Sequence, residues 1–390
     1  MGSRPLFLLG KGEGLDGGDR EMPMSLSAHL ALCKKVGNLL LLGFVEEELD
    51  EICSLAMEGR LGGVLLFERN ARSAIQVASL AMRLRELPLE KRPILALDQE
   101  QGRICRIRSG VTLFPSPRRL GILDSPKTTF YVARWTAREL RRLGVNLNLA
   151  PVADVLRGEE ARDLLGERCF GDDPQKVALH VSHWIRGSQE AGVAACAKHF
   201  PGHGSAKGDT HLEMSLDPSD AEMIFTGHLL PFREALKAKV ASIMVSHVIY
   251  PALDSRFPAS LSSKIMVGLL REKMGFKGII ITDDLEMRAI ALKMDPVQAA
   301  VEAIKAGADM AIVSRNSLPR IPIRTILNEL EKAASRGDLP PKRLRESLER
   351  VASFRRRWKG GAKEIVEDAS FPGARRLARG LLEGPSQWVE

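Results

Sequence analysis

The chain has 390 residues, 44% hydrophobic, 27% charged and 5% aromatic, with 34 Gly, 21 Pro and 5 Cys. That mix is the composition of an ordinary globular enzyme and excludes collagen-like, disordered and disulfide-scaffold classes. The formal net charge of +8 raises a nucleic-acid hypothesis, but between Pro341 and Glu390 stand 12 Lys/Arg against 7 Asp/Glu, so most of the excess sits in the tail.

In chain order, residues 1–34 read as an N-terminal extension. The first 22 are Gly-rich and lack periodicity, and Met22 or Met24 is a candidate true start. The run Leu6 to Leu9 is shorter than the roughly 7 to 15 apolar residues of a signal peptide. No run reaches the ~18 uninterrupted apolar residues of a membrane span. A cytoplasmic protein that binds neither membrane nor nucleic acid is the expectation. The cysteines Cys33, Cys53, Cys105, Cys169 and Cys196 are odd in number and scattered, which favours reduced thiols over bridges or a zinc site.

Eight short apolar runs follow: Leu39–Gly43, Gly63–Phe67, Ile94–Leu97, Val145–Leu149, Val193–Ala197, Val240–Val245, Gly278–Ile281 and Ala308–Val313. Each is continuously apolar rather than alternating, as parallel strands buried on both faces should be. Helical patterns separate them. Asp173-Pro174 and Asp295-Pro296 each pair an N-cap with a proline at the first helical position, and Gly192 and Gly307 serve as stops. No Asn-Gly or Asp-Gly turn joins neighbouring runs, so right-handed β-α-β crossovers are expected. Eight such units predict a (β/α)8 barrel over residues 35–335, with a doubly wound open sheet as the competitor. No G-x-G-x-x-G follows the first strand, and no phosphate-binding P-loop is present anywhere. Residues 336–390 read as a basic helical extension in which Arg355, Arg356 and Arg357 form a solvated face.

Barrel enzymes carry their catalytic groups where strands end. Here the exits bring Asp98, Asp154, Lys198, His199, His247 and Asp283. The densest stretch is Lys198-His199-Phe200-Pro201-Gly202-His203-Gly204, continuing to Asp209-Thr210-His211. His199 and His203 have i, i+4 spacing, yet Pro201 and Gly202 oppose a helix and Lys198 opposes a cation, so acid–base chemistry is favoured over a metal. Asp209 and His211 suit a carboxylate that orients an imidazole able to donate and recover a proton near neutrality. His203 reads as a backbone hydrogen-bonder, and His180 and His183 as structural or solvent-facing.

These residues give the sequence its resemblance to glycoside hydrolase family 3, in particular to its bacterial β-N-acetylglucosaminidases of the single-domain, cell-wall-recycling type. The pattern K-H-F-P-G-H-G-x4-D-x-H runs from Lys198 to His211 without a gap. With it, in family order, come Phe67-Glu68-Arg69-Asn70, Asp98-Gln99-Glu100, Ala150-Pro151-Val152-Ala153-Asp154, Gly166 to Gly171, His247 to Pro251 and Thr282-Asp283-Asp284. The resemblance implies a barrel in which Asp283 is the nucleophile, with Asp284 the lesser candidate, and His211 polarised by Asp209 is the general acid and base. It further implies that Asp98, Arg106, Arg168, Lys198 and His199 hold the hydroxyls of the first sugar. No metal or cofactor is implied. The implied partner is an N-acetylglucosamine-containing oligosaccharide or muropeptide, acted on by a monomer or weak dimer.

An oxocarbenium-like transition state wants an anion beneath the anomeric carbon and a proton on the leaving oxygen, which these residues supply. A neutral imidazole base repels an incoming anion less than a carboxylate does, so phosphorolysis stands beside hydrolysis. A β-glucosidase or β-xylosidase of the same family is the nearer rival. A sugar-sensing or nucleic-acid-binding protein is the non-enzyme one. Two departures matter: Gln101 stands where the family commonly has glycine, implying a different backbone geometry or an extra hydrogen bond beside Asp98, and Thr282 replaces a common serine.

Overall fold

The computed structural model describes residues 25–207, 215–317, 319–360 and 362–383. The first 24 residues of the extension, and the Asp209 and His211 dyad, lie outside them.

The eight apolar runs become eight parallel strands: β1 (Leu40–Gly43), β2 (Gly63–Leu66), β3 (Ile94–Leu97), β4 (Leu147–Asn148), β5 (Ala194–Phe200), β6 (Ser242–Val245), β7 (Ile279–Asp284) and β8 (Met310–Val313). They pair in sequence order, and the sheet closes where Leu41 of β1 lies opposite Ile312 of β8. The open-sheet competitor is thereby excluded, and the fold is a (β/α)8 barrel. Continuous apolarity has its cause in the layers: one side of each strand fills the barrel interior and the other meets a helix, so all four residues of β1, β2, β3, β6 and β8 are buried.

The helix ends follow the local chemistry. Asp173 accepts the backbone N–H groups of Gln175 (2.8 Å) and Lys176 (3.4 Å), starting the helix Pro174–Glu190, and Asp295 does the same for Val297 and Gln298 ahead of Pro296–Ala306. Gly192 and Gly307 stand just past those helices at φ of 90° and 131°, where a Cβ would be strained.

One element has no counterpart among the eight runs. After β3 a short antiparallel hairpin pairs Gln99–Gln101 with Ile104–Cys105. Charged and amide side chains make no apolar pattern, which is why periodicity misses it.

The basic C-terminal stretch is packed on the barrel. Its helix Pro341–Arg357 buries Leu344, Val351 and Phe354 against the N-terminal face of the barrel. There Asp309, fully buried, accepts from Arg343 (3.0 Å), Arg350 (3.1 Å), Ser347 (2.8 Å) and the N–H of Ile280 (3.0 Å), and also pairs with Arg271. Arg355 is half-buried rather than on a solvated face, whereas Arg356 and Arg357 are exposed. The helix Pro372–Glu383 then buries Ala374 and Ala378. Just before it Phe371 lies 5.5 Å from Trp135, and Arg138 stacks over both rings.

Candidate active site

At the C-terminal face the strand exits enclose a cavity of about 550 Å³, within the ~300–1,000 Å³ usual for small-molecule sites. Its wall includes Phe67, Asp98, Arg106, Arg168, Lys198, His199 and Asp283, so six of the eight expected site residues meet in one place. Asp209 and His211 lie outside the described residues. On either side of them in the sequence, Lys207 and Leu216 are joined by mutual backbone bonds of 2.9 and 3.1 Å. His247, grouped with these residues by its strand exit, stands behind the cavity instead, with Nε2 donating to the Asp284 carbonyl (2.8 Å) and Nδ1 bonded to Ser260 (2.7 Å).

The hairpin after β3 places Arg106 back over Asp98. The Gln99 side chain bonds both the N–H (3.1 Å) and the carbonyl (2.9 Å) of Ile107, and the chain reverses at Gln101 and Gly102, both left-handed at φ of 78° and 62°. Gln101 thus keeps the backbone region that suits a glycine, at a steric cost, and its buried amide supplies extra bonds: it donates to Thr136 (2.8 Å) and accepts from the N–H of Phe114 (3.0 Å). The extra hydrogen bonding expected of this departure is present. Thr282, the other departure, is fully buried and accepts the N–H of Ile312 at 3.0 Å, binding β7 to β8 without touching the cavity.

Opposite charges alternate around the floor. Arg106 meets Asp98 at 3.0 Å, Asp98 meets Lys198 at 2.7 Å, Lys198 meets Glu100 at 2.6 Å, and Glu100 takes Arg168 in two parallel bonds of 2.8 Å each. Arg168 reaches His199 at 3.5 Å, and His199 Nδ1 lies 2.7 Å from Asp154. Burial alone would push the Asp98 carboxyl up, but Lys198 and Arg106 hold it far below the usual carboxylate range. The same contest leaves Glu100 lowered by Arg168 and Lys198, and Lys198 raised by Asp98 and Glu100. Lys198 and Arg168 are therefore held charged and fixed between carboxylates, an arrangement suited to neutral, hydroxyl-rich ligands, which need directional donors and acceptors.

Asp154 is fully buried and also accepts the backbone N–H groups of His199 (3.1 Å) and His203 (2.8 Å). With Asp154 beside Nδ1, the Nδ1–H form of His199 is favoured, and Nε2 faces the Arg168 guanidinium at 3.5 Å. The loop that follows needs its glycines. Gly202 sits at φ 133°, and a Cβ on Gly204 would come within 1.8 Å of the Val155 carbonyl oxygen. His203 lines the cavity with Nδ1 buried and unpartnered, so this ring nitrogen does not bond to the backbone as expected; burial pulls its pKa down to about 4 and keeps the ring neutral. His180 is fully buried, bonded to Thr129 at 2.7 Å and stacked on Phe170, as a structural histidine should be.

The two carboxylates at the end of β7 are driven apart. Burial disfavours the Asp283 anion, but His199, His247, the Asp284 N–H and Lys198 hold its carboxyl below the usual range. Burial lifts Asp284 to about 6, even though it accepts the N–H groups of Ser314 (3.0 Å) and Glu286 (3.2 Å). Both line the cavity, but Asp283 is the one held as the anion, while Asp284 also ties β7 to the exit of β8.

Three residues of this site carry no assigned role in the sequence: Glu100, Asp154 and the Phe67 ring beneath Arg106, 5.5 Å from it. Asp154 stands at a strand exit, and Asp98-x-Glu100 puts two acids two apart on extended chain, where they share a face.

Residues 31–354 match the family described as glycosyl hydrolase family 3 N terminal domain. A curated β-hexosaminidase from Nitrosomonas eutropha is 37% identical over 262 residues, 65% of this chain and 73% of that protein. A solved family 3 β-N-acetylglucosaminidase from Paenibacillus superposes with a TM-score of 0.83 at 32% identity, covering 93% of this chain and 69% of its own. The β-N-acetylhexosaminidase from Beutenbergia cavernae superposes at 0.72 and 28% identity, with 83% of this chain and 98% of that one covered.

Proposed function

Because this chain belongs to glycosyl hydrolase family 3 and is a glycoside hydrolase of the β-hexosaminidase type, we propose that it removes terminal β-linked N-acetylglucosamine with retention of configuration. The substrate class is cell-wall fragments, muropeptides, met in the cytoplasm. The observation that carries the reading is the Asp283 carboxylate, kept ionised at the mouth of β7, in the same cavity as the chain of fixed charges from Arg106 to Asp154.

In the first step the Asp283 carboxylate attacks the anomeric carbon and the glycosidic C–O bond breaks. His211, polarised by Asp209, gives its proton to the leaving oxygen. In the second step water attacks the glycosyl ester, His211 takes the water proton, and Asp283 leaves as carboxylate. Asp98, Arg106, Arg168, Lys198 and His199 hold the sugar hydroxyls meanwhile. Lys198, Arg106 and Arg168 are each already matched by a carboxylate, which favours water over phosphate as the acceptor.

Turnover of nitrophenyl β-N-acetylglucosaminide in phosphate buffer tests this reading. Free N-acetylglucosamine, and a rate well above that for the β-glucoside, are expected. N-acetylglucosamine 1-phosphate as the main product overturns hydrolysis, and preference for the glucoside overturns the substrate. His211→Ala should slow substrates with poor leaving groups more than activated ones, since only the former need the proton.

A further inference from the structure

The sugar cavity leaves the basic C-terminal stretch unexplained. At the opposite face of the barrel, a recess of about 30 Å³ is lined by Arg85, Arg92, Arg355 and Lys359, together with Trp358 and Asn146, and no Asp or Glu is among its described lining residues. Several arginines elsewhere in the fold meet carboxylates: Arg60 meets Glu331 at 2.8 Å, Arg168 meets Glu100 at 2.8 Å, Arg315 meets Glu48 at 2.6 Å and Arg343 meets Asp309 at 3.0 Å. Around the recess the named partners are neutral. Arg355 donates to the Asn38 amide oxygen (2.6 Å), Arg85 to the Ala362 carbonyl (2.9 Å), and Arg92 to the carbonyls of Leu87 (3.0 Å) and Arg85 (2.7 Å). Burial alone acts on the Arg355 guanidinium, and it acts against the charge.

Three guanidinium groups and an ammonium line one recess with no carboxylate among its described lining residues, and an anion seated there gains charge-assisted hydrogen bonds. At ~10–15 Å³ for each water-sized occupant, the recess takes about two oxygen atoms. Two oxygens are one edge of a carboxylate or phosphate, the shape that guanidinium forks bind in parallel bonds.

We propose that the recess formed by Arg85, Arg92, Arg355 and Lys359 at the N-terminal face of the barrel is an oxyanion-binding site, separate from the sugar cavity, that takes the two-oxygen edge of a phosphate or carboxylate group. Arg355 links it to the rest of the molecule. Its Asn38 partner also bonds the carbonyls of Lys35 (3.0 Å) and Gly59 (2.6 Å), so an anion on Arg355 tightens the junction between the helix Pro341–Arg357 and the entry to β1.

The test measures melting temperature and calorimetric affinity of the full chain with inorganic phosphate and, separately, acetate, against chloride at matched ionic strength. The wild-type protein should gain about 2 °C at ten times the dissociation constant. Arg355→Met should weaken binding at least tenfold while kcat/KM on the nitrophenyl substrate stays within about twofold. Lys198→Met, in the sugar cavity, should keep the full response. A response to phosphate alone, or to acetate alone, identifies which group is bound. Lys359→Met alters an exposed side chain, so its fold is secure, and it should weaken binding about threefold if Arg355→Met fails to fold. No gain in the wild-type protein, or the same gain in the Arg355 and Lys359 variants, overturns the site.

Discussion

Glu100 is the residue through which two like charges, Lys198 and Arg168, are held on the same side of the sugar cavity. It is a positioning residue, and Glu100→Gln separates its charge from its shape. Without the anion, Lys198 keeps only Asp98 and loses part of what raises its pKa, so the alkaline limb of the kcat/KM profile should move to lower pH. The loss should fall mainly on KM, with kcat/KM down about 10²-fold and the melting temperature little changed. An unshifted alkaline limb contradicts the role. Asp154→Asn offers the companion case: the amide no longer accepts at both oxygens, and His199 loses its favoured tautomer, as expected from the 2.7 Å bond. The convergence of Asp98, Lys198, His199 and Asp283 was legible because strand exits are ordered along the chain. The pairings of Glu100 with Arg168 and of Asp154 with His199 were not, because the partners are distant in sequence and spacing says nothing about such pairs.

Among elements, the loop that follows the hairpin after β3 and the segment leading to the helix Pro372–Glu383 meet at Glu139. This buried acid accepts the N–H (2.8 Å) and hydroxyl (2.7 Å) of Thr112 and the N–H of Phe371, yet burial pushes its pKa from 4.5 to about 7. The native state therefore binds the proton more tightly than the unfolded chain. Its contribution is fully present below pH 4.5 and is lost as pH rises toward 7, a difference of about 3 kcal/mol. Glu139→Gln keeps a neutral group able to bond Thr112, so it should flatten this decline and be at least as stable as the wild-type protein at pH 8. Urea unfolding at pH 5 and pH 8 checks it, and an equal loss at both contradicts it. The eight strands and the two Asp-Pro helix starts could be read from the sequence because apolar runs and caps are local signals. The hairpin could not, since its stability lies in the side-chain amides of Gln99 and Gln101 and their bonds to partners such as Thr136, beyond any periodicity.

At the scale of the molecule, the two faces of the barrel divide the labour. The C-terminal face holds the sugar cavity, and the N-terminal face is closed by the helix Pro341–Arg357, locked through Asp309 to Arg271, Arg343 and Arg350. Asp309→Ala takes the buried partner from Arg271 and leaves Arg343 and Arg350 with only Glu346, at 3.7 and 3.6 Å, and should lower unfolding stability by about 3–5 kcal/mol. Denaturant titration measures this, and a loss below about 1 kcal/mol contradicts the lock. The net charge of +8 resolves accordingly, with the tail arginines serving fold closure and the proposed recess rather than sugar binding. The most direct measurement of the central claim is the mass of the active-site peptide after incubation with a slow, fluorinated N-acetylglucosaminide. The account predicts one glycosyl group carried by Asp283 and none in Asp283→Ala. A label on Asp284 or another carboxylate, or no covalent label during turnover, contradicts it.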